Sequence, residues 1–115
     1  MKFALALLLA LIPLVPALAA EDGTVVMELS GKGSRNTRPF IVKDHWEIRW
    51  NSQSEDRFTI DAVKTDAANA LESLGQSVAS QDHAGLGETY IDRGGRYYLT
   101  VSSHGDWSIT VVQLP

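Results

Sequence analysis

No cysteine occurs anywhere in the 115 residues. That absence removes disulfides, thiolate metal ligands and thiol nucleophiles together. Cations are also scarce, with ten Lys and Arg against fourteen Asp and Glu. An acidic chain lacks the basic patch that nucleic acid requires, so no nucleic-acid partner is expected. No Gly-x-Ser-x-Gly elbow is found to present a nucleophilic serine. Gly31-Lys32-Gly33-Ser34 has neither the residue order nor the glycine spacing of a phosphate-binding P-loop.

The one long apolar run stands at the start, "MKFALALLLALIPLVPALAAEDG". Lys2 supplies a minimal positive end, residues 3–15 are uncharged and apolar, and Pro16 breaks the helix. Ala17-Leu18-Ala19 then gives the small-x-small pattern of a signal-peptidase site. The run falls short of the roughly 20 residues that a membrane span needs. Residues 1–19 therefore read as a helical signal peptide cut after Ala19, with a cut after Ala20 as the neighbour. Residues 20–115 read as one exported domain, secreted or periplasmic, with no stable membrane anchor after cleavage. Loss of Lys2 leaves nine cations against fourteen acids. An exported domain without disulfides must hold together by packing, so its large apolar residues are wanted inside.

Their spacing agrees. Trp46, Ile48 and Trp50 lie at every second position, with Glu47, Arg49 and Asn51 between them, which is the period of a half-buried strand. Phe58, Ile60 and Ala62 repeat the pattern. So do Tyr97, Leu99 and Val101, and again Trp107, Ile109 and Val111. The last two runs, joined by His104-Gly105-Asp106, read as a hairpin. Residues 24–29 read as a strand, residues 30–39 as a loop, and residues 82–88 as a glycine-rich loop. Residues 64–86 are ambiguous. The stretch "TDAANALESLG" suits a short helix capped by Thr65 or Asp66 and by Gly75, whereas the hairpin spacing elsewhere favours strands. The expectation is an all-β, antiparallel, jelly-roll-like β-sandwich of about seven or eight strands, with no helix longer than two turns after the signal peptide.

"TRPFIVKDHWEIRW" and the later "GETYIDRGGRYYLTVSSHGDWSITV" resemble small exported bacterial β-sandwich modules of the pre-peptidase C-terminal type. The likeness is carried by Gly95, Tyr97, Tyr98, Leu99, Val101, Gly105, Trp107, Ile109 and Val111. It implies a jelly-roll-like fold and a non-catalytic role beside larger secreted enzymes.

Few residues point to chemistry. His45, His83 and His104 each have a nearby acid, in Asp44-His45, Asp82-His83 and His104-Gly105-Asp106. None has another histidine at metal-ligand spacing, and a zinc site needs three or four convergent ligands. Asp92 and Asp106 precede or follow glycine in turns that suit calcium, although Asp beside Gly is first of all a turn former. A domain this small is not expected to enclose a substrate cleft of several hundred cubic ångströms. The surface feature that stands out is Lys32, Arg35 and Arg38, three cations among Gly, Ser and Asn whose amides would help to hold an anion. The sequence thus reads as an exported, non-catalytic binding or interaction module for a protein partner or an envelope glycan. Lys32, Arg35 and Arg38 form its candidate ligand site, with no cofactor and no metal. The alternative is a small secreted hydrolase or metal-dependent enzyme that uses the turn histidines. Mass spectrometry of the exported protein is expected to find Ala20 or Glu21 at its N-terminus; a chain that retains Met1 would refute the signal-peptide reading.

Overall fold

The computed structural model describes residues 23–66, 69 and 74–115. The expected signal peptide and most of the ambiguous "AANALES" stretch lie outside them. The described residues contain no helix. They form nine strands: β1 (Thr24–Lys32), β2 (Arg35–Asn36), β3 (Phe40–Val42), β4 (Trp46–Ser52), β5 (Phe58–Lys64), β6 (Gln76–Gln81), β7 (Gly85–Ile91), β8 (Gly95–Ser102) and β9 (Asp106–Gln113). One sheet has the order β1-β9-β4-β7. In the other, β8 carries β2 and β3 end to end along one edge and β5 along the other, with β6 outside β5. All pairings are antiparallel. With β2 and β3 taken as one interrupted strand, this interleaved order is that of a jelly roll. The expected β-sandwich is therefore present.

Several local expectations change. β8 and β9 are not a hairpin, because β8 pairs with β5 whereas β9 pairs with β1 and β4. The residues at 103–105 arch from one sheet to the other. The apolar faces of the two strands meet across the core instead of lying side by side. β1 runs three residues further than expected and β2 follows almost at once, so much of the supposed 30–39 loop is paired backbone. Where β2 gives way to β3, at Pro39, the Thr37 hydroxyl takes over part of the ladder. It accepts from Leu99 N at 3.0 Å, while Thr37 N donates to Leu99 O at 2.8 Å. The supposed glycine-rich loop at 82–88 is in large part β7.

The glycines of β7 mislead for a steric reason. A Cβ at Gly87 would lie 2.3 Å from Trp50 Cζ2 and 2.5 Å from Cε2. The Trp50 indole thus lies flat over the strand that pairs with its own, and Gly87 is the space it occupies. Between the sheets, Trp46, Ile48, Phe58, Ile60, Leu99, Val101, Ile109 and Val111 are almost wholly withdrawn from water, and Trp107 nearly so. Phe40 meets Trp46 edge-on at 5.6 Å between ring centroids, and Trp46 meets Tyr97 at 4.9 Å. Each such large side chain contributes roughly 1.5–3 kcal/mol by burial. The tryptophan ladder is core.

Two substitutions test that packing from opposite directions. Trp46→Ala leaves a void and is expected to cost about 3–5 kcal/mol. Gly87→Ala adds one methyl where Trp50 lies and is expected to cost about 1–3 kcal/mol, as overpacking does. Denaturant titration measures both, and a neutral Gly87→Ala would refute the close approach.

Candidate functional site

The two sheets diverge where their outer strands β6 and β7 leave the turn between them. Thr89 Oγ1 donates to Val78 O at 2.6 Å across that divide. Beyond this bridge opens a cavity of about 650 Å³. Open to solvent on one side rather than enclosed, this space is within the range of ligand sites, about 300–1,000 Å³. Ala62, Val78 and Ile91 give the cavity an apolar wall, while Lys64, Gln76, Ser77, Asp92 and Arg93 bring polar groups to it.

The rim on the β7–β8 side is a turn held by several hydrogen bonds. Asp92 O accepts from His45 N at 2.9 Å. Arg93 O accepts from two buried aromatic donors, Trp46 Nε1 at 2.9 Å and Tyr97 Oη at 2.8 Å. Gly94 N donates to Asp44 Oδ1 at 2.7 Å. A Cβ at Gly94 would come within 2.4 Å of the Lys43 carbonyl carbon, so only glycine lets the turn approach the 43–45 segment. The Arg93 and Asp92 side chains are nevertheless exposed. A fixed backbone thus presents two exposed charged groups beside a cavity.

His45, Tyr90 and Asp92 complete this rim. His45 Nδ1 contacts the Tyr90 hydroxyl and lies 3.3 Å from Asp92 Oδ1, and the hydroxyl lies 3.3 Å from the same oxygen. Partial withdrawal from water, reinforced by the Asp92 and Asp44 charges, holds the Tyr90 phenol above its usual range. It therefore keeps its proton at neutral pH. That proton goes to the acceptor-only carboxylate, which leaves the phenol oxygen to accept from an Nδ1–H of His45. The histidine itself sits at φ 67°, the left-handed region that few non-glycine residues adopt. Beside Gly95, just past the same turn, Lys64 Nζ lies 3.1 Å from Asp66 Oδ1. The Arg96 amide, with Lys64 adding to it, keeps Asp66 below the usual carboxylate range.

The acids that adjoin the histidines in sequence are not the ones their rings meet. His45 meets Asp92 rather than Asp44, and His104 Nδ1 lies 3.4 Å from Asp56 rather than against Asp106. His83 offers its carbonyl to Gln81 Nε2 at 3.0 Å. Among the described residues, no group of three or more His, Asp or Glu side chains is placed to hold a metal ion.

Lys32, Arg35 and Arg38 are all exposed, but they project from different elements. Lys32 ends β1 opposite Asp106 of β9, so its nearest cross-strand neighbour carries the opposite charge. Arg35 stands in β2 opposite the core residue Val101. Its Cδ lies over Gly31, 3.0 Å from where a Cβ would stand, beside the Trp107 indole. Arg38 lies in the connection from β2 to β3. The segment is not a loose loop: Trp107 Nε1 donates to Gly33 O at 2.8 Å, Gly33 N to Gly105 O at 3.1 Å, and Ser103 N to Ser34 Oγ at 3.2 Å. Of the cleft residues, the sequence singled out only Asp92, as a turn carboxylate. Its "DRGG" marked a turn, but nothing local revealed that a cavity adjoins it.

The three cations therefore differ in what their removal should do. Arg35→Ser exposes the edge of the Trp107 ring and is expected to lower stability by about 1 kcal/mol. Lys32→Ser and Arg38→Ser should stay within about 0.5 kcal/mol of the parent, as surface changes do. Equal melting temperatures for all three variants would refute the packing role of Arg35. Compared with known proteins, the chain matches no family model and no curated sequence.

Proposed function

We propose that the protein is an exported, non-catalytic binding module whose ligand, part of an envelope glycan or of a protein partner, enters the cleft between β6 and β7. The observation that carries this reading is the pairing of an open cavity of about 650 Å³ with a rim turn fixed by hydrogen bonds to its backbone. Such a rim loses little freedom on binding, and a site ordered in advance binds more tightly for the same contacts. Lys32 and Arg35 lie at the other end of the strands, beside the 103–105 arch. An anion held there would leave the cleft free.

A second reading, a small hydrolase, draws on one observation. His45 is the histidine that reaches the cleft rim, through Tyr90 and Asp92. The two readings separate on turnover, because an enzyme consumes its ligand and a binding module returns it unchanged.

Ser77 is exposed and lines the cleft, so Ser77→Trp should fill the cavity without touching the core. The variant is expected to keep the parental melting temperature and to lose retention of isolated envelope material, glycan or protein, by roughly tenfold or more. Equal retention by parent and variant would overturn the assignment of the cleft. Release of new reducing ends or amines during the incubation would favour the hydrolase, provided that His45→Ala abolished it.

A further inference from the structure

The geometry points to a neutral, polyhydroxylated ligand for this cleft, an uncharged saccharide unit held between the Asp92 carboxylate, the Arg93 guanidinium and the apolar wall of Ala62, Val78 and Ile91. The inference rests on the binding reading above and specifies its chemistry.

Charge balance is the first ground. Among the described residues, Lys64, Asp92 and Arg93 are the charged side chains that line the cavity, and Asp66 stands beside Lys64. Lys64 is matched by Asp66 at 3.1 Å, and Arg93 follows Asp92 in the chain. An anionic ligand that reached Arg93 would meet Asp92 at once, and a cationic one would meet the reverse. An uncharged ligand meets neither penalty.

Donor and acceptor arrangement is the second. A carboxylate only accepts hydrogen bonds and a guanidinium only donates them. Set on adjacent residues, they suit a group that does both, and a pair of neighbouring hydroxyls does so in either order. Hydrogen bonds to charged groups are also the stronger kind, which suits a ligand with no charge of its own to offer. The Ser77 hydroxyl and the Gln76 amide extend the same mixed capacity along the cleft.

The third ground is the amphipathic wall. A pyranose ring carries hydroxyls around its edge and C–H groups on its faces. The cavity sets aliphatic side chains between polar ones, so one ligand satisfies both. The rim needs no rearrangement for this. Arg93 O is held by Trp46 and Tyr97 and Asp92 O by His45, and the Asp92 carboxylate is itself set through Oδ1 by Tyr90 and His45.

The test is a titration of the purified, isotopically labelled protein followed by amide NMR. The probes are neutral trisaccharides built on glucose, galactose, mannose and N-acetylglucosamine, with trigalacturonate and trilysine as charged counterparts. At least one neutral trisaccharide is expected to shift the amides of residues 76–78 and 89–93. Arg93→Ala and Asp92→Ala should each weaken that binding by roughly tenfold or more, the loss for a hydrogen bond to a charged group. Arg93→Ala should leave the melting temperature unchanged, since the contacts of Arg93 with Trp46 and Tyr97 are made by its carbonyl. If trigalacturonate or trilysine moves the cleft amides and no neutral sugar does, the ligand class is overturned while the cleft reading stands. If no saccharide moves them, the inference fails, and retention of envelope material by Ser77→Trp decides separately whether the cleft binds anything else.

Discussion

Three indoles hold this sandwich together, each in two ways. Trp46, Trp50 and Trp107 all belong to one sheet and bury their rings against the other. Each also donates its N–H beyond that sheet: Trp46 to Arg93 O, Trp50 to Gln81 Oε1 at 3.1 Å, and Trp107 to Gly33 O. A buried indole needs a partner for its N–H, and here the partners stand at the turns where the chain crosses between sheets or at the end of the outer strand. In a chain with no cysteine, the same side chains that fill the core fasten the crossings. Among the described residues, no buried side-chain polar atom lacks a partner.

That arrangement decides where the fold is closed and where it is open. At one end, Gly33, Ser34, Ser103 and Gly105 tie the 33–34 turn to the 103–105 arch, and the stem of Arg35 lies over the same edge. On the opposite edge, β6 and β7 have no strand outside them among the described residues, and beyond the Thr89–Val78 bridge they part. Unpaired edges invite association with other strands. In this fold the parting edges also leave a cavity whose rim is the turn that Trp46 grips. Core and rim therefore meet at the Arg93 carbonyl oxygen, which accepts from both Trp46 and Tyr97.

The fold was legible in the sequence because alternation survives wherever one face of a strand is buried. Every predicted apolar face, from Trp46-Ile48-Trp50 to Trp107-Ile109-Val111, is inside. What alternation does not encode is which sheet a strand joins. The faces of β8 and β9 look the same in the sequence whether the strands lie side by side or face each other across the core. Gly87 misled for a related reason: in isolation a glycine signals a turn, and only the Trp50 indole on the neighbouring strand explains it. The cleft was not legible at all. It is built from residues of β5, β6, β7 and the 92–94 turn, and no short stretch of sequence contains enough of it to show a pattern. The basic residues at 32, 35 and 38 stood out because they are close in sequence, yet one of them serves packing.

The rim reaches further into the fold than its own turn. Gln113, near the end of β9, donates Nε2 to the carbonyls of Lys43, Asp44 and His45 at 3.1, 3.2 and 3.1 Å, and its Oε1 accepts from Lys43 N at 2.6 Å. Leu114 N adds a bond to His45 O at 3.0 Å. One amide side chain thus holds three successive carbonyls on a single side, which is what a segment ending in a left-handed histidine requires. His45 and Asp44 then hold Asp92 O and Gly94 N. The strain of a non-glycine residue at positive φ, on the order of 1–3 kcal/mol, persists because the surroundings fix it from both sides. The last strand of the chain supports the 43–45 turn, that turn supports the rim, and the rim presents Asp92 and Arg93 to the cleft. A fold with no disulfide can hold an exposed rim in place by such a relay, because its links are hydrogen bonds to backbone that cannot move independently of the core.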